Sequence, residues 1–151
     1  MPKVRFATSE DLDTLVAFSI CLAKESENRR LDPDTVRAGI RHLLGDPQAI
    51  VLVALDDDGR AVGEMMIGGR EWSEWSDGQF WWVTSVYVRP DSRGRGHGHS
   101  LYRRVRELAH ADALRVLGLR GCVNSDNTKA QPVLARLGRS ANGYLVFEEM
   151  L

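Results

Sequence analysis

The segment Arg89-Pro90-Asp91-Ser92-Arg93-Gly94-Arg95-Gly96-His97-Gly98-His99 restricts the folds open to this chain more than any other. It follows a run rich in aromatic and β-branched residues, Gln79–Val88, that stops at Pro90. It precedes a stretch in which Leu101, Val105, Leu108 and Ala109 recur at helical spacing. A strand, a glycine-rich loop and a helix in that order leave free backbone N–H groups at a helix N-terminus, where the dipole favours an anion. Glycine permits the turns and the close backbone approach that such a ligand needs. A phosphate-bearing cofactor is therefore expected.

The rest of the chain supplies the frame. A length of 151 residues predicts one domain, 1–151, with a working hydrophobic core. Val4–Ala7 reads as a first strand, and Thr8 with Asp11 resembles a capping box. Leu12, Leu15, Val16, Ser19 and Leu22 then predict a helix to about Glu25. Asp32-Pro33 opens a second helix through Leu44. Ala49–Leu55 and Ala61–Ile67 flank the turn Asp57-Asp58-Gly59 and read as a hairpin. After the glycine loop and its helix come a strand at Leu119–Val123, a short helix at Thr128–Leu137 and a terminal strand at Tyr144–Glu149. The order β-α-α-β-β-β-α-β-α-β predicts an α+β fold with a mixed sheet, parallel only around the helix after the glycine loop.

Several function classes are disfavoured by the same reading. The net charge of −1 offers nucleic acid no global attraction, although six arginines crowd into Arg89–Arg106. No apolar run is long enough to cross a membrane, and Met1-Pro2-Lys3-Val4-Arg5 lacks the apolar centre of a secretion signal, so a cytoplasmic location is expected. Cys21 and Cys122 have no metal spacing and read as buried small hydrophobes. His97 and His99 lack a third ligand nearby, so no metal site is expected from them. Their side chains are expected to point away while the loop backbone binds. His42 and His110 read as helix-surface residues.

Three phosphate loops compete. A Walker A loop needs a lysine after its glycine, and none lies between Lys24 and Lys129. The dinucleotide fingerprint needs Gly-x-Gly-x-x-Gly, and Gly94, Gly96 and Gly98 fall one residue short. An arginine-glycine nucleic-acid segment would be repeated, whereas this one is single and embedded between periodic elements. What remains is Arg-x-x-Gly-x-Gly, met by Arg93, Gly96 and Gly98, with Val86-Tyr87-Val88 before it and Leu101-Tyr102 after it.

That pattern resembles the pyrophosphate loop of the GNAT superfamily of N-acetyltransferases. Asp126-Asn127-Thr128-Lys129-Ala130, followed by Leu137-Gly138, is similar to the family's Asn-x-x-Ala segment and its helix-closing glycine, and the element order fits over nearly the whole chain. The resemblance implies a mostly antiparallel central sheet with a splayed parallel strand pair and flanking helices. It implies acetyl-CoA as cosubstrate, held at the strand end Val86-Tyr87-Val88. Backbone groups of Val86 and Val88 would pair with the pantetheine. N–H groups of Arg93, Gly94, Arg95, Gly96, His97, Gly98 and His99 would surround the pyrophosphate, and Asn127 would touch the pantetheine. Arg103 and Arg104 stand one turn further on, within reach of a 3′-phosphate or simply in solvent.

The implied chemistry is direct attack by an amine on the thioester. An alkyl ammonium of pKa ~10.4 is almost entirely protonated at neutral pH, so a base is useful. A backbone N–H near Val86, at a bulge in the long strand, would hold the developing oxyanion. The family often places a tyrosine acid seven residues after the asparagine, but that position is Leu134, which has no proton to give. Tyr102 and Tyr144 are candidate replacements, and a thiolate can also leave unprotonated. Glu25 and Glu27, at the end of the first helix, are the leading acceptor-site or base candidates, with Glu64, Glu71 and Glu74 behind them. Trp72 and Trp75 flank a polar turn and are expected to pack on a hairpin, or else to wall a cation site. The expected activity is acetylation of a primary amine on a small molecule. A protein terminus or lysine is a second acceptor class, and a non-catalytic acyl-CoA-binding sensor is the alternative that Leu134 motivates. Relatives of this kind are often dimers, so a homodimer is compatible with the resemblance.

Overall fold

A computed structural model of the protein describes residues 1–136 and 138–151. Its elements run β1 (Lys3–Phe6), α1 (Leu12–Glu27), α2 (Pro33–Gly45), β2 (Ile50–Leu55), β3 (Ala61–Ser73), β4 (Gly78–Val88), α3 (His97–Ala111), β5 (Val116–Gly121) and α4 (Ala130–Arg136). Short 3-10 turns at Ser9–Asp11 and Pro90–Ser92 precede α1 and α3. The capping box forms as the spacing predicts. Thr8 Oγ1 accepts from the Glu10 amide at 3.3 Å, and Asp11 accepts from the Thr8 amide at 2.7 Å. The Asp11 carboxylate also takes two guanidinium bonds from Arg5, which hold it below the usual aspartate range. Asp32 caps α2 at the Thr35 amide, 3.0 Å away, with Pro33 at the first helical position.

The strands form one sheet in the order β1-β2-β3-β4-β5, antiparallel except for the parallel β4–β5 pair. Apolar side chains leave it on both faces, so it is covered on both. On one face Leu52, Met65, Ile67 and Trp81 meet Leu101 and Val105 of α3. On the other Val51, Val53 and Met66 meet Leu15 and Val16 of α1 and Ile40 of α2.

Two irregularities in the β3–β4 ladder separate the two halves of β4. Met66 pairs with Ser85 but Ile67 with Val83, so Thr84 is an extra residue in β4. One step on, Gly68 is the extra residue in β3. The two belong together, because a Cβ on Gly68 would stand 2.6 Å from Thr84 Oγ1. The β4–β5 ladder ends at the same level, at Val83 opposite Gly121.

The structure corrects several expectations. Residues Tyr144–Glu149 form no strand, because β-rich sequence makes a ladder only where a partner edge is provided. β3 extends to Ser73, past the predicted Ile67, and β5 begins at Val116, ahead of the predicted Leu119. Cys21 and Cys122 are exposed. The buried stripe of α1 is carried by Leu15, Val16 and Phe18, and Cys122 lies past the end of β5. Trp81 fills the core, whereas Trp72 and Trp75 stand largely exposed at the hairpin tip, Trp75 at 89%. The predicted end of the last helix, Leu137, lies outside the described residues.

Candidate active site

β4 divides at Thr84. From Gln79 to Val83 it is laddered on both sides, to β3 and to β5. From Ser85 to Val88 it is laddered to β3 alone. The Arg89 amide donates to Val62 O at 2.8 Å, so the alternation of an antiparallel strand turns Tyr87 toward β3 as well. The same alternation turns the N–H and C=O groups of Val86 and Val88 to the open side. Sequence reasoning places the cofactor-binding backbone at these residues, and the splay leaves them without a strand partner there.

The loop beyond β4 holds a row of backbone N–H groups at the start of α3. Gly94 (φ +76°) and Gly96 (φ +87°) adopt the left-handed conformation, and Gly96 is the N-cap of α3. Among the described residues, the amides of Gly94, Arg95, Gly96, His97, Gly98 and His99 donate to no protein acceptor. Gly98 sits beside Val88, where an added Cβ would be 3.9 Å from its Cγ2. The loop therefore adjoins the open strand edge. The His97 side chain is buried and that of His99 is exposed. Along α3, a cleft of about 440 Å³ is lined by His99, Tyr102, Arg103, Arg106, Glu107, His110 and Arg136.

Arg93 ties this loop to two other elements. Its Nε donates to Val88 O at 2.8 Å, and its Nη2 donates to Glu25 Oε2 at 2.6 Å. Its guanidinium also stands 5.7 Å from the centre of the Tyr87 ring, which packs on Phe18 of α1. Burial, followed by the neighbouring Cys21 and Glu25, pushes the Tyr87 phenol up to about 12, so it stays protonated through the neutral range. The structure thus brings Glu25 to the site but occupies its carboxylate with a cation. Glu27 ends α1 exposed.

The remaining candidates separate clearly. Glu71 accepts from Trp82 Nε1 at 3.1 Å and from Arg120 at 2.8 Å, and Glu74 is exposed at the hairpin tip. Asn127 uses its Oδ1 to cap α4 at the Ala130 amide, 3.2 Å away. Leu134 is half-buried on α4. Tyr102 packs under Arg139, 4.7 Å from its ring centre, and Tyr144 is exposed near Arg120 of β5.

Glu64 stands apart from all of these. It lies on β3 opposite Tyr87 and one residue before the Met65–Val86 pair, and it is fully buried at 0% exposure. Ser85 Oγ donates to its Oε1 at 2.6 Å, and its Oε2 has no hydrogen-bond partner among the described residues. Burial raises the carboxyl to about 7, with the Ser85 hydroxyl pulling weakly the other way. Ser85 is half-buried and Val86 beside it is exposed, so the pair sits just under the open edge. In the sequence Glu64 is legible only as one glutamate among several near the third strand. Its distinction is burial, which a local pattern does not carry.

The comparisons with known proteins agree with this geometry. The profile of the acetyltransferase (GNAT) family matches residues 14–138. The chain belongs to that family. Among solved structures, a possible acetyltransferase from Clostridium difficile 630 is 30% identical with a TM-score of 0.89, over 100% of this chain and 98% of that one. The GNAT fold is shared at lower identity with AAC(6')-Iy in complex with the bisubstrate analog CoA-S-monomethyl-acetylneamine. That match is 18% identical with a TM-score of 0.79, over 100% of this chain and 99% of that one. The aminoglycoside N-acetyltransferase AAC(6')-Iy in complex with CoA is also 18% identical, with a TM-score of 0.80, over 99% and 95%. No curated protein matches the sequence. No helix among the described residues is long and apolar enough to cross a membrane.

Proposed function

We propose that this GNAT acetyltransferase, acting as one domain over 1–151, transfers the acetyl group of acetyl-CoA to a primary amine on a small molecule. The observation that carries transfer to an amine is the Glu64–Ser85 pair, a buried carboxyl with an unpartnered oxygen just beneath the open edge of β4. A carboxyl of pKa about 7 suits the work of a base at neutral pH. AAC(6')-Iy, an aminoglycoside N-acetyltransferase, supports an acceptor amine on a small molecule.

The cosubstrate would lie along the open side of Val86-Tyr87-Val88, its amides pairing with strand groups as an added strand would. The amides of Gly94 to His99, at the positive end of α3, would receive the pyrophosphate. The arginine-lined cleft on α3 would take the nucleotide end, and Asn127 Nδ2 would reach the pantetheine from the far side. The acceptor ammonium would donate to Ser85 Oγ, whose own hydrogen goes to Glu64 Oε1. One proton would pass along that line to Glu64, freeing the nitrogen lone pair. The N–C bond then forms while the Val86 N–H holds the oxyanion. The C–S bond breaks, and the second amine proton goes to the departing thiolate or to solvent. Glu25, neutralised by Arg93, would steady the loop instead of acting as the base.

The test is a thiol-release screen with polyamines, aminoglycosides, amino acids and peptides. Turnover of a small amine, with kcat/KM rising through a pKa of about 7 and that limb absent in Glu64→Gln, is the expected result. Turnover of peptides alone, or CoA binding without thiol release from any amine, would overturn the reading.

A further inference from the structure

Arg93 stands in the lane that the open half of β4 leaves free. The Arg89 amide donates to Val62 O, toward β3, and the peptide between Val88 and Arg89 is trans. The carbonyl and N–H of a trans peptide point opposite ways, so Val88 O faces the open side. That oxygen is already engaged, because Arg93 Nε donates to it at 2.8 Å. A chain added at this edge would run about 4.7–4.9 Å from β4 and bring its own N–H to the same oxygen. The Arg93 side chain fills that place.

Three groups hold the guanidinium there. Val88 O accepts from Nε, Glu25 Oε2 accepts from Nη2 at 2.6 Å, and the Tyr87 ring centre lies 5.7 Å away. Tyr87 is itself fixed against Phe18, with ring centres 5.2 Å apart. Arg93 also leads into the glycine loop, where the amides from Gly94 to His99 donate to no protein acceptor among the described residues. A pyrophosphate on those amides would set two negative charges beside the Arg93 side chain, and a guanidinium bonds an anion more strongly than a neutral carbonyl. A thioester arm without phosphates offers no such charge. It must compete with Nε for Val88 O unaided.

We propose that Arg93 is a specificity-determining residue for the acetyl donor, barring the open edge to a bare pantetheine arm and yielding it to one that carries a pyrophosphate. That role rests on the cosubstrate pose proposed along Val86-Tyr87-Val88. Arg93 exchanges Val88 O for phosphate oxygens, and the freed carbonyl accepts from a pantetheine amide. Selection of the donor thus falls to a side chain that lies across the binding edge before the donor arrives.

Two titrations of each protein test this, CoA by calorimetry and reduced pantetheine, which lacks every phosphate, by ligand-observed NMR. Arg93→Met keeps an unbranched stem and removes every donor. It is expected to weaken CoA roughly 10- to 100-fold and to tighten pantetheine roughly 3- to 10-fold, with its circular dichroism retained. Glu25→Gln leaves Arg93 in place but loosens its Nη2, so pantetheine should tighten there too while CoA stays within about fivefold. Pantetheine that binds both variants no more tightly than the wild type, or not at all, overturns the proposal. So does a parallel loss of affinity for both ligands in Arg93→Met, which a merely structural arginine would give. Equal CoA affinity in Gly96→Glu and the wild type would instead overturn the pose, and the role of Arg93 with it.

Discussion

The two halves of β4 are continuous in sequence and opposite in their surroundings. Gln79–Val83 is zipped between two strands and anchored by Trp81, which is buried in the face that meets α3. Ser85–Val88 keeps only β3, exposes Val86 and places Ser85 over the buried Glu64. The change takes place at Thr84, the extra residue that ends regular pairing. The closed half builds the core, and the open half is the proposed cosubstrate edge. A bulge that ends a ladder beside a functional edge is a recurring use of such irregularities.

Breaking the open half at its carboxyl should have the largest effect. Glu64→Gln is expected to lower kcat by roughly 10²- to 10⁴-fold while leaving acetyl-CoA affinity within a factor of a few. The same variant should behave oppositely in stability. Burial raises the folded carboxyl from 4.5 to about 7, so its favourable contribution is fully present below pH 4.5 and is lost as pH rises through 7. Glu64→Gln removes that loss, and its advantage over the wild type should grow from pH 5 to pH 8, approaching roughly 3 kcal/mol. Urea melts at the two pH values read the sign. An advantage that shrinks with pH would place the titration elsewhere.

Gly96→Glu strikes the loop that serves the open half. It forces a side chain into φ +87° and sets a carboxylate among the free amides. Calorimetry should show acetyl-CoA affinity reduced on the order of 100-fold with the fold intact, since an added Cβ meets nothing closer than 3.8 Å. Retained affinity would remove the loop from the cofactor site.

Gly78→Ala sharpens the contrast from the closed side. Its Cβ would fall 2.7 Å from Leu117 Cγ, so thermal unfolding should report a loss of about 1–3 kcal/mol with acetyl-CoA affinity unchanged. A marked fall in affinity would show that the two halves are coupled.

The smallest effect should come from Glu25→Gln. Its ion pair with Arg93 is about half exposed, and such pairs contribute ~0.2–1 kcal/mol. Acetyl-CoA affinity should change no more than about fivefold, and less in high salt. A hundredfold fall in kcat would instead move the base from Glu64 to Glu25.

How far the sequence carries this picture depends on the range of the interaction. The Thr8–Asp11 box, the Asp32 cap, the start of α3 after Gly96 and the left-handed turns at Gly94 and Gly96 are all legible, since each rests on residues a few positions apart. The pattern brings Glu25 toward the site, but Arg93, sixty-eight residues away in sequence, takes its carboxylate. Trp72, Trp75, Cys21 and Cys122 read as packed, yet all four are exposed.

The sequence by itself determined the order of elements, the left-handed glycines and the row of free amides, because backbone conformation and capping are local. Only the tertiary structure decided where β5 parts from β4, which glutamate is stripped of water beneath the gap, and that the β-rich segment Tyr144–Glu149 finds no ladder in its own chain. Register, desolvation and edge pairing are each set by residues distant in sequence, so no local pattern encodes them.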